Sequence, residues 1–200
     1  PSRFPQALSG QTANTTVISR QQIENSPQAT LPEILAQQAG IGMRDLFGNN
    51  AAASTVDMRG FGPAAGQNTL ILLDGRRLND IDLSAIDWAA LPLSAIERIE
   101  IVRGGSSVLH GSGAVAGVIN IITRSPLGLP NQASGKVKLG SFNTQDYQLS
   151  GNYSGEAGGI RLTADHYRSD GWRDNNENMQ SSLNGDARFS HALGELVFKF

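Results

Sequence analysis

The glycine run GSGAVA at residues 111–116 has the spacing G-x-G-x-x-A. Where such a run follows a strand and opens a helix, its backbone amides can cradle a pyrophosphate. Here the residues that follow are VINIITR, a strand-like run ending at Arg124. No acidic residue stands about 20 positions on, where a ribose would need one. Cofactor binding is therefore set aside, and the glycines are read as allowing close backbone packing. His110, His166 and His191 lie far apart without ligand spacing, so they define no metal site. No G-x-S-x-G elbow occurs. Asp80, Asp82 and Asp87, grouped with Asn79 and Ser84, read as turn formers before they read as acid/base partners. Asp170, Asp174 and Glu177 offer oxygen ligands to calcium, but without EF-hand spacing. Two arginines stand out, Arg59 in MRGFG and Arg103 in VRGG, each ending a strand-like run before a glycine. Either they are solvated, or each guanidinium is partly buried and needs a carboxylate, for which the chain offers no obvious partner.

The elements that must hold these residues change character along the chain. Residues 15–19 (TTVIS) predict a short strand that runs into a capping box, Ser19 with Gln22. A second box, Thr30 with Glu33, opens a short helix whose Leu31, Ile34 and Leu35 share one face. Pro32 sits in its first turn, and Gly40 is expected as its C-cap. An irregular stretch at 44–54, a strand at 56–59 and a glycine-rich loop at 60–68 follow. Residues 69–75 (TLILLDG) predict a buried strand closing in an Asp-Gly turn. Ser94 with Glu97 forms a third box before the strands at 98–104 and 118–124. Short helices among strands predict a small α+β domain rather than a doubly wound one.

After Pro126 and Pro130, period-two alternation takes over. Val137 and Leu139 oppose Lys136 and Lys138; Leu149 and Tyr153 oppose Ser150 and Asn152; Ile160 and Leu162 oppose Arg161 and Thr163; Leu183 and Phe189 oppose Asn184 and Arg188; Leu196, Phe198 and Phe200 continue the pattern. A soluble sandwich alternates in the same way. Two features favour a membrane barrel: the charged polar face, and Tyr147, Tyr153, Tyr167 and Phe189 placed near strand ends as an apolar-face girdle. Tight connections at 155–159 and 193–194 and a long polar one at 169–180 fit the turn asymmetry of such barrels. Five strands cannot close a barrel, and the chain opens on Pro1 and ends inside an alternating run, so a fragment is expected.

Composition agrees with this reading. Glycine is 23 of 200 residues, against a usual ~7%. Charged residues are 17%. The net charge of −2 supplies no field for nucleic acid. There is no cysteine, which excludes disulfides, zinc thiolates and a cysteine nucleophile.

The run LSAIERIEIVRGGSSVLHGSGAVAGVINIITR (residues 93–124), preceded in order by LPEILAQQAGIGMRD, VDMRGFG and LILLDGRRLND, resembles TonB-dependent outer-membrane receptors. The resemblance implies an α+β plug domain, a small mixed β-sheet with short helices, over residues 1–130. Antiparallel β-strands of a truncated 22-stranded transmembrane β-barrel are expected over 131–200. Gly105, His110 and Ala116 depart from the commoner proline, tyrosine and glycine of the family. The function implied is TonB-dependent import of a scarce nutrient, a ferric siderophore first and cobalamin or haem otherwise, across the bacterial outer membrane. The plug serves as the ligand-responsive gate. A soluble plug-like binding or signalling module is the alternative, and no enzyme or cofactor is expected. The implied partners are TonB, through a TonB box placed before Pro1, outer-membrane lipid and a metal-chelate or similar cargo. By alignment with the family's apical loops, Arg44, Asn49, Gln67, Asn79 and Asp82 are the ligand-binding candidates, with Trp172 and Arg173 at the mouth. Arg59 and Arg103 are implied as a plug–barrel lock pairing with glutamates beyond Phe200.

Overall fold

The computed structural model describes residues 14–46, 48–51, 54–79, 86–104, 113–191 and 194–200. The chain divides into two compact units. One comprises the residues up to Thr123 outside a short segment, and the other is Arg124–Phe200 together with that segment, Gly48–Asn50. The division falls after Thr123 rather than near residue 130 because the proline-bearing stretch is tied to the strands that follow it. Asn152 Nδ2 donates to the carbonyls of Pro126 and Pro130, both at 3.3 Å, and the Ser154 amide donates to Asn131 Oδ1 at 2.5 Å.

In the first unit β1 (Asn14–Ser19) leads into α1 (Arg20–Glu24), and α2 (Leu31–Ala36) precedes β2 (Ile41–Arg44) and β3 (Thr55–Met58). Then come α3 (Ala65–Asn68), β4 (Thr69–Leu73), β5 (Arg76–Arg77), β6 (Ile96–Arg103) and β7 (Gly117–Thr123). The main sheet has the order β1-β6-β7-β4-β5, and β2 with β3 forms a separate pair. Only β4 and β7 run parallel within the main sheet; its other pairings are antiparallel. Ile71, Ile99, Ile101, Ile119 and Ile121 join Ile23, Ile34, Leu35 and Trp88 in the large core, while Leu70, Leu72 and Val118 pack in a smaller cluster. Burial on both faces is why TLILL, and VINII apart from the buried Asn120, read as apolar runs rather than alternating ones. Gly117 is required by packing. A Cβ there would run into the Val102 carbonyl and come within 2.7 Å of the Met58 methyl.

The Ser19–Gln22 box forms, with the Gln22 side chain accepting from the Ser19 amide at 2.8 Å. Glu33 likewise accepts from the Thr30 amide at 3.0 Å. The Asp-Gly turn takes left-handed angles, φ 50° at Asp74 and 82° at Gly75, as a two-residue hairpin demands. Three local expectations are corrected. Helix α2 ends at Gln37, and Gly40 (φ 75°) turns the chain into β2 instead of capping the helix. The glycine-rich stretch is a loop only at Gly60 and Phe61: a 3-10 turn at Gly62–Ala64, which contains Pro63, continues into α3. Ser94 is not an N-cap, since it lies inside the 3-10 turn Leu93–Ala95, whose N-cap is Pro92.

The second unit is an antiparallel meander of β8 (Gln132–Gly140), β9 (Thr144–Gly155), β10 (Gly158–Ser169), β11 (Asn178–His191) and β12 (Gly194–Lys199). Its polarity is the reverse of a soluble sheet. Leu139, Leu149, Leu183 and Phe198 are 58–75% exposed, whereas Asn152, Arg161, Thr163 and Asp186 are at most 7% exposed. Cross-strand rows keep this segregation: Leu162 stands between Gly151 and Gly185, and Arg161 between Asn152 and Asp186. The polar face carries ion pairs, Lys138 to Asp146 at 3.0 Å and Asp186 to both Arg188 and Lys199 at 2.9 and 3.4 Å. Tyr167 is corrected to that face. The register sets it against Asp146 and Gln180, while His166 takes the apolar side and stacks on Tyr147 with centroids 6.4 Å apart. Tyr147, Tyr153 and Phe189 remain on the apolar side with Val137, Ile160 and Leu196.

Candidate functional site

Arg103 ends β6 at a sheet register that brings β1 beside it. Its Nε donates to the Ala39 carbonyl at 3.1 Å and its Nη1 to Thr16 Oγ1 at 2.6 Å. Neither of these partners is the carboxylate that the sequence reading asks for. Among the described residues its partners are a carbonyl and a hydroxyl, neither of which carries a charge. Arg59 follows β3 in the left-handed region, φ 70°, and its amide donates to the Gly40 carbonyl at 3.1 Å. A non-glycine residue there costs about 1–2 kcal/mol. The neighbouring carboxylate does not serve it, since Asp57 accepts from the amides of Phe61 at 2.9 Å and Gly62 at 2.7 Å. Among the described residues the Arg59 side chain has no hydrogen-bond or ion-pair partner. Its Nη2 lies 3.9 Å from where a Cβ on Gly104 would be. The fold therefore brings Arg59 to the residue that follows Arg103, a juxtaposition no spacing announces.

The loop candidates fare differently from one another. Arg44 closes β2, and Gln67 lies in α3; both are exposed. Asn79 is a scaffold residue: its Oδ1 accepts from Ile71 N at 2.7 Å, and its Nδ2 donates to the carbonyls of Gly66 and Thr69 at 3.1 and 3.0 Å. That amide ties the turn after β5 to α3 and β4. Asp82 lies outside the described residues, as do Gly105 and His110. Asn49 belongs to the second unit and is 6% exposed. Its Nδ2 donates to the Asn176 carbonyl at 2.6 Å, its Oδ1 accepts from the Tyr167 hydroxyl at 3.0 Å, and its own carbonyl accepts from Asn178 Nδ2 at 3.2 Å. Beside it Asn50 Nδ2 donates to Gln180 Oε1 at 3.0 Å. Arg173 stacks over the Trp172 ring at 4.2 Å in the β10–β11 connection. Among the described residues no three acidic or histidine side chains gather as a metal group.

Sequence reasoning missed two clasps. Arg20 Nη1 lies 2.7–3.2 Å from the carbonyls of Leu93, Ser94 and Ile96, and its Nε pairs with Glu24 at 2.7 Å. Asp74 accepts from Thr123 twice, from the amide at 2.9 Å and the hydroxyl at 2.8 Å. The Asp-Gly turn signalled a hairpin, but nothing in it pointed to β7.

A mixed-sheet unit continued by a meander with bare apolar and buried polar faces is the build of a plug followed by transmembrane barrel strands. Residues 7–118 match the TonB-dependent receptor plug domain, and the chain belongs to that family. It is 35% identical over 164 residues to the vitamin B12 transporter BtuB of Vibrio cholerae, covering 80% of this chain and 26% of that protein. Among solved structures it is similar to the ferric-catecholate import receptor Fiu of E. coli in its closed form. That match has a TM-score of 0.74 at 24% identity and covers 96% of this chain and 26% of the other. The siderophore receptor PiuA of Acinetobacter baumannii gives a TM-score of 0.70 at 24% identity, covering 90% and 24%. The chain thus spans about a quarter of the length of these relatives.

Proposed function

We propose that this chain is the gate and first wall strands of an active importer in the bacterial outer membrane. The reversed polarity of the five-strand meander carries the reading. A free-standing soluble module has no use for a face of bare leucine, valine and phenylalanine side chains, whereas lipid covers such a face. The cargo is a metal chelate taken up in TonB-dependent fashion. A ferric siderophore is favoured by the structural likenesses, cobalamin by the sequence likeness to vitamin B12 transporters, and haem is the third form. No bond in such a cargo has to break, so no catalytic residue is assigned.

Arg59 and Arg103 act as the lock, offering charge to barrel carboxylates. Breaking a buried pair on one side costs roughly 3–5 kcal/mol, enough to set the force at which the gate yields. Arg44 and Gln67 are exposed and suited to touch cargo directly; Asn49 and Asn79 act by holding loops; Asp82 stands as a contact from alignment alone. TonB supplies the energy from the inner membrane. The test is chelate uptake by cells whose receptor carries this chain, with and without TonB, and with Arg103→Ala. Uptake that needs TonB, and a mutant that folds but leaks large antibiotics, are expected. TonB-independent uptake, or unchanged permeability in the mutant, would overturn the gate and the lock respectively.

A further inference from the structure

Gly48–Asn50 is three residues of a chain that otherwise builds the first unit on both sides, yet it packs with the second. Its backbone is bent to do so. Gly48 has φ 68° and Asn50 φ 54°. A Cβ on Gly48 would stand 3.1 Å from Trp172 Nε1. Between them the Asn49 side chain is buried with both ends of its amide engaged. Asparagine is chosen by this geometry. Its amide donates to a carbonyl on one side and accepts from a phenol on the other, which neither aspartate nor leucine can do.

The partners map onto the connection between β10 and β11. Tyr167 lies near the end of β10, Asn178 starts β11, and Asn176 belongs to the residues between them. The carbonyl of Asn176 has a close neighbour besides its donor: it accepts from Asn49, and a Cβ on Gly171 (φ 74°) would collide with it. The connection is also tied below, where the Asp170 amide donates to the Phe142 carbonyl at 2.9 Å. What this arrangement presents to solvent is Trp172, 57% exposed, with Arg173 stacked on it.

We propose that Asn49 is the positioning residue of the 170–177 connection, setting the place at which the Trp172–Arg173 pair meets cargo rather than touching cargo itself. The role rests on the importer reading above, since a loop with nothing to meet needs no set position. It differs from an ordinary loop contact in that every polar atom of the side chain is already committed within the protein.

The experiment uses the receptor that carries this chain, in intact cells that hold TonB, and measures the rate of trypsin cleavage after Arg173 beside the KM and maximal rate of chelate uptake. Asn49→Leu, which keeps the volume and loses both hydrogen bonds, is expected to speed cleavage at least tenfold. It should also raise KM several-fold at an unchanged maximal rate. Asn49→Asp keeps the acceptor for Tyr167 and loses the donor for Asn176, so its effect falls between wild type and Asn49→Leu. Tyr167→Phe, which removes one hydroxyl, serves if Asn49→Leu does not fold, with cleavage about threefold faster. Gln67→Ala leaves the cleavage rate as in wild type. A folded Asn49→Leu receptor cleaved at the wild-type rate would overturn the proposal. So would faster cleavage with KM unaltered. A wild-type receptor that takes up no chelate would instead refute the importer reading, and the cleavage rates alone would then decide whether Asn49 positions the loop.

Discussion

The turn joining β4 to β5 allows a quantitative test of how the plug sheet is held. Asp74 sits at φ 50° and receives two hydrogen bonds from Thr123, at 2.9 and 2.8 Å. Bonds to an ionised group contribute about 1.5–3 kcal/mol each. Because Asp74 is half-buried, the lower end applies, or about 3 kcal/mol for the pair. Asp74→Ala loses both bonds and keeps the Cβ in the left-handed region that wild type already has. The loss of about 3 kcal/mol is over a hundredfold in a local opening equilibrium at about 1.4 kcal/mol per decade. Asp74→Gly loses the same bonds but relieves about 1 kcal/mol of left-handed strain, which gives about 2 kcal/mol. Asp74→Asn keeps one acceptor for the Thr123 amide and costs about 1–2 kcal/mol. Native-state hydrogen exchange over 117–123, in a receptor carrying this chain, reads the openings directly. The expected order of exchange is Ala, then Gly, then Asn, then wild type. Equal protection in the alanine and asparagine variants would refute the reasoning, because it would mean that the carboxylate does not hold β7.

Two further substitutions probe other levels. Leu149→Arg places a charge on the bare apolar face and should destabilise membrane-folded protein by about 2–4 kcal/mol, read by urea titration in vesicles, whereas Asn184→Arg on the polar face should cost less than about 1 kcal/mol; equal effects would contradict the assigned faces. Arg20→Ala should loosen the turn before β6 by about 3 kcal/mol, as hydrogen bonds from a charged donor to carbonyls are lost, and Arg20→Lys should restore only part because a point ammonium cannot reproduce the spread guanidinium donors; exchange over 93–101 checks both.

Much of the architecture was legible because it is written in periods. Strand β4 shows as an apolar run, and β7 as one broken only by Asn120, because both their faces are covered, whereas the wall strands show as alternation because one face meets water and the other does not. The Ser19–Gln22 box and the Asp-Gly turn are local chemistry and were read locally. An aromatic ring near a strand end suits a girdle, but parity decides the face: counting on from Ile160 and Leu162 puts residue 167 with Asp165 on the polar side. The site was less legible for a different reason. Arg103 meets Thr16 across 87 positions and Asn49 meets Asn176 across 127. A single long-range hydrogen bond leaves no periodic mark on the sequence. Arg59 and Arg103 were singled out by their glycines, but that Arg59 reaches Gly104 follows only from how β3 and β6 are brought together.

The central claim is that the alternating strands wall a polar interior and face lipid outside. Single cysteines carrying a fluorophore, placed one at a time along residues 160–165 in receptor embedded in outer-membrane vesicles, test it most directly. The account predicts that probes at 160, 162 and 164 are quenched by a lipid-soluble quencher and spared by a water-soluble one, with the reverse at 161, 163 and 165. Uniform quenching from water at all six positions, in folded protein, would contradict it.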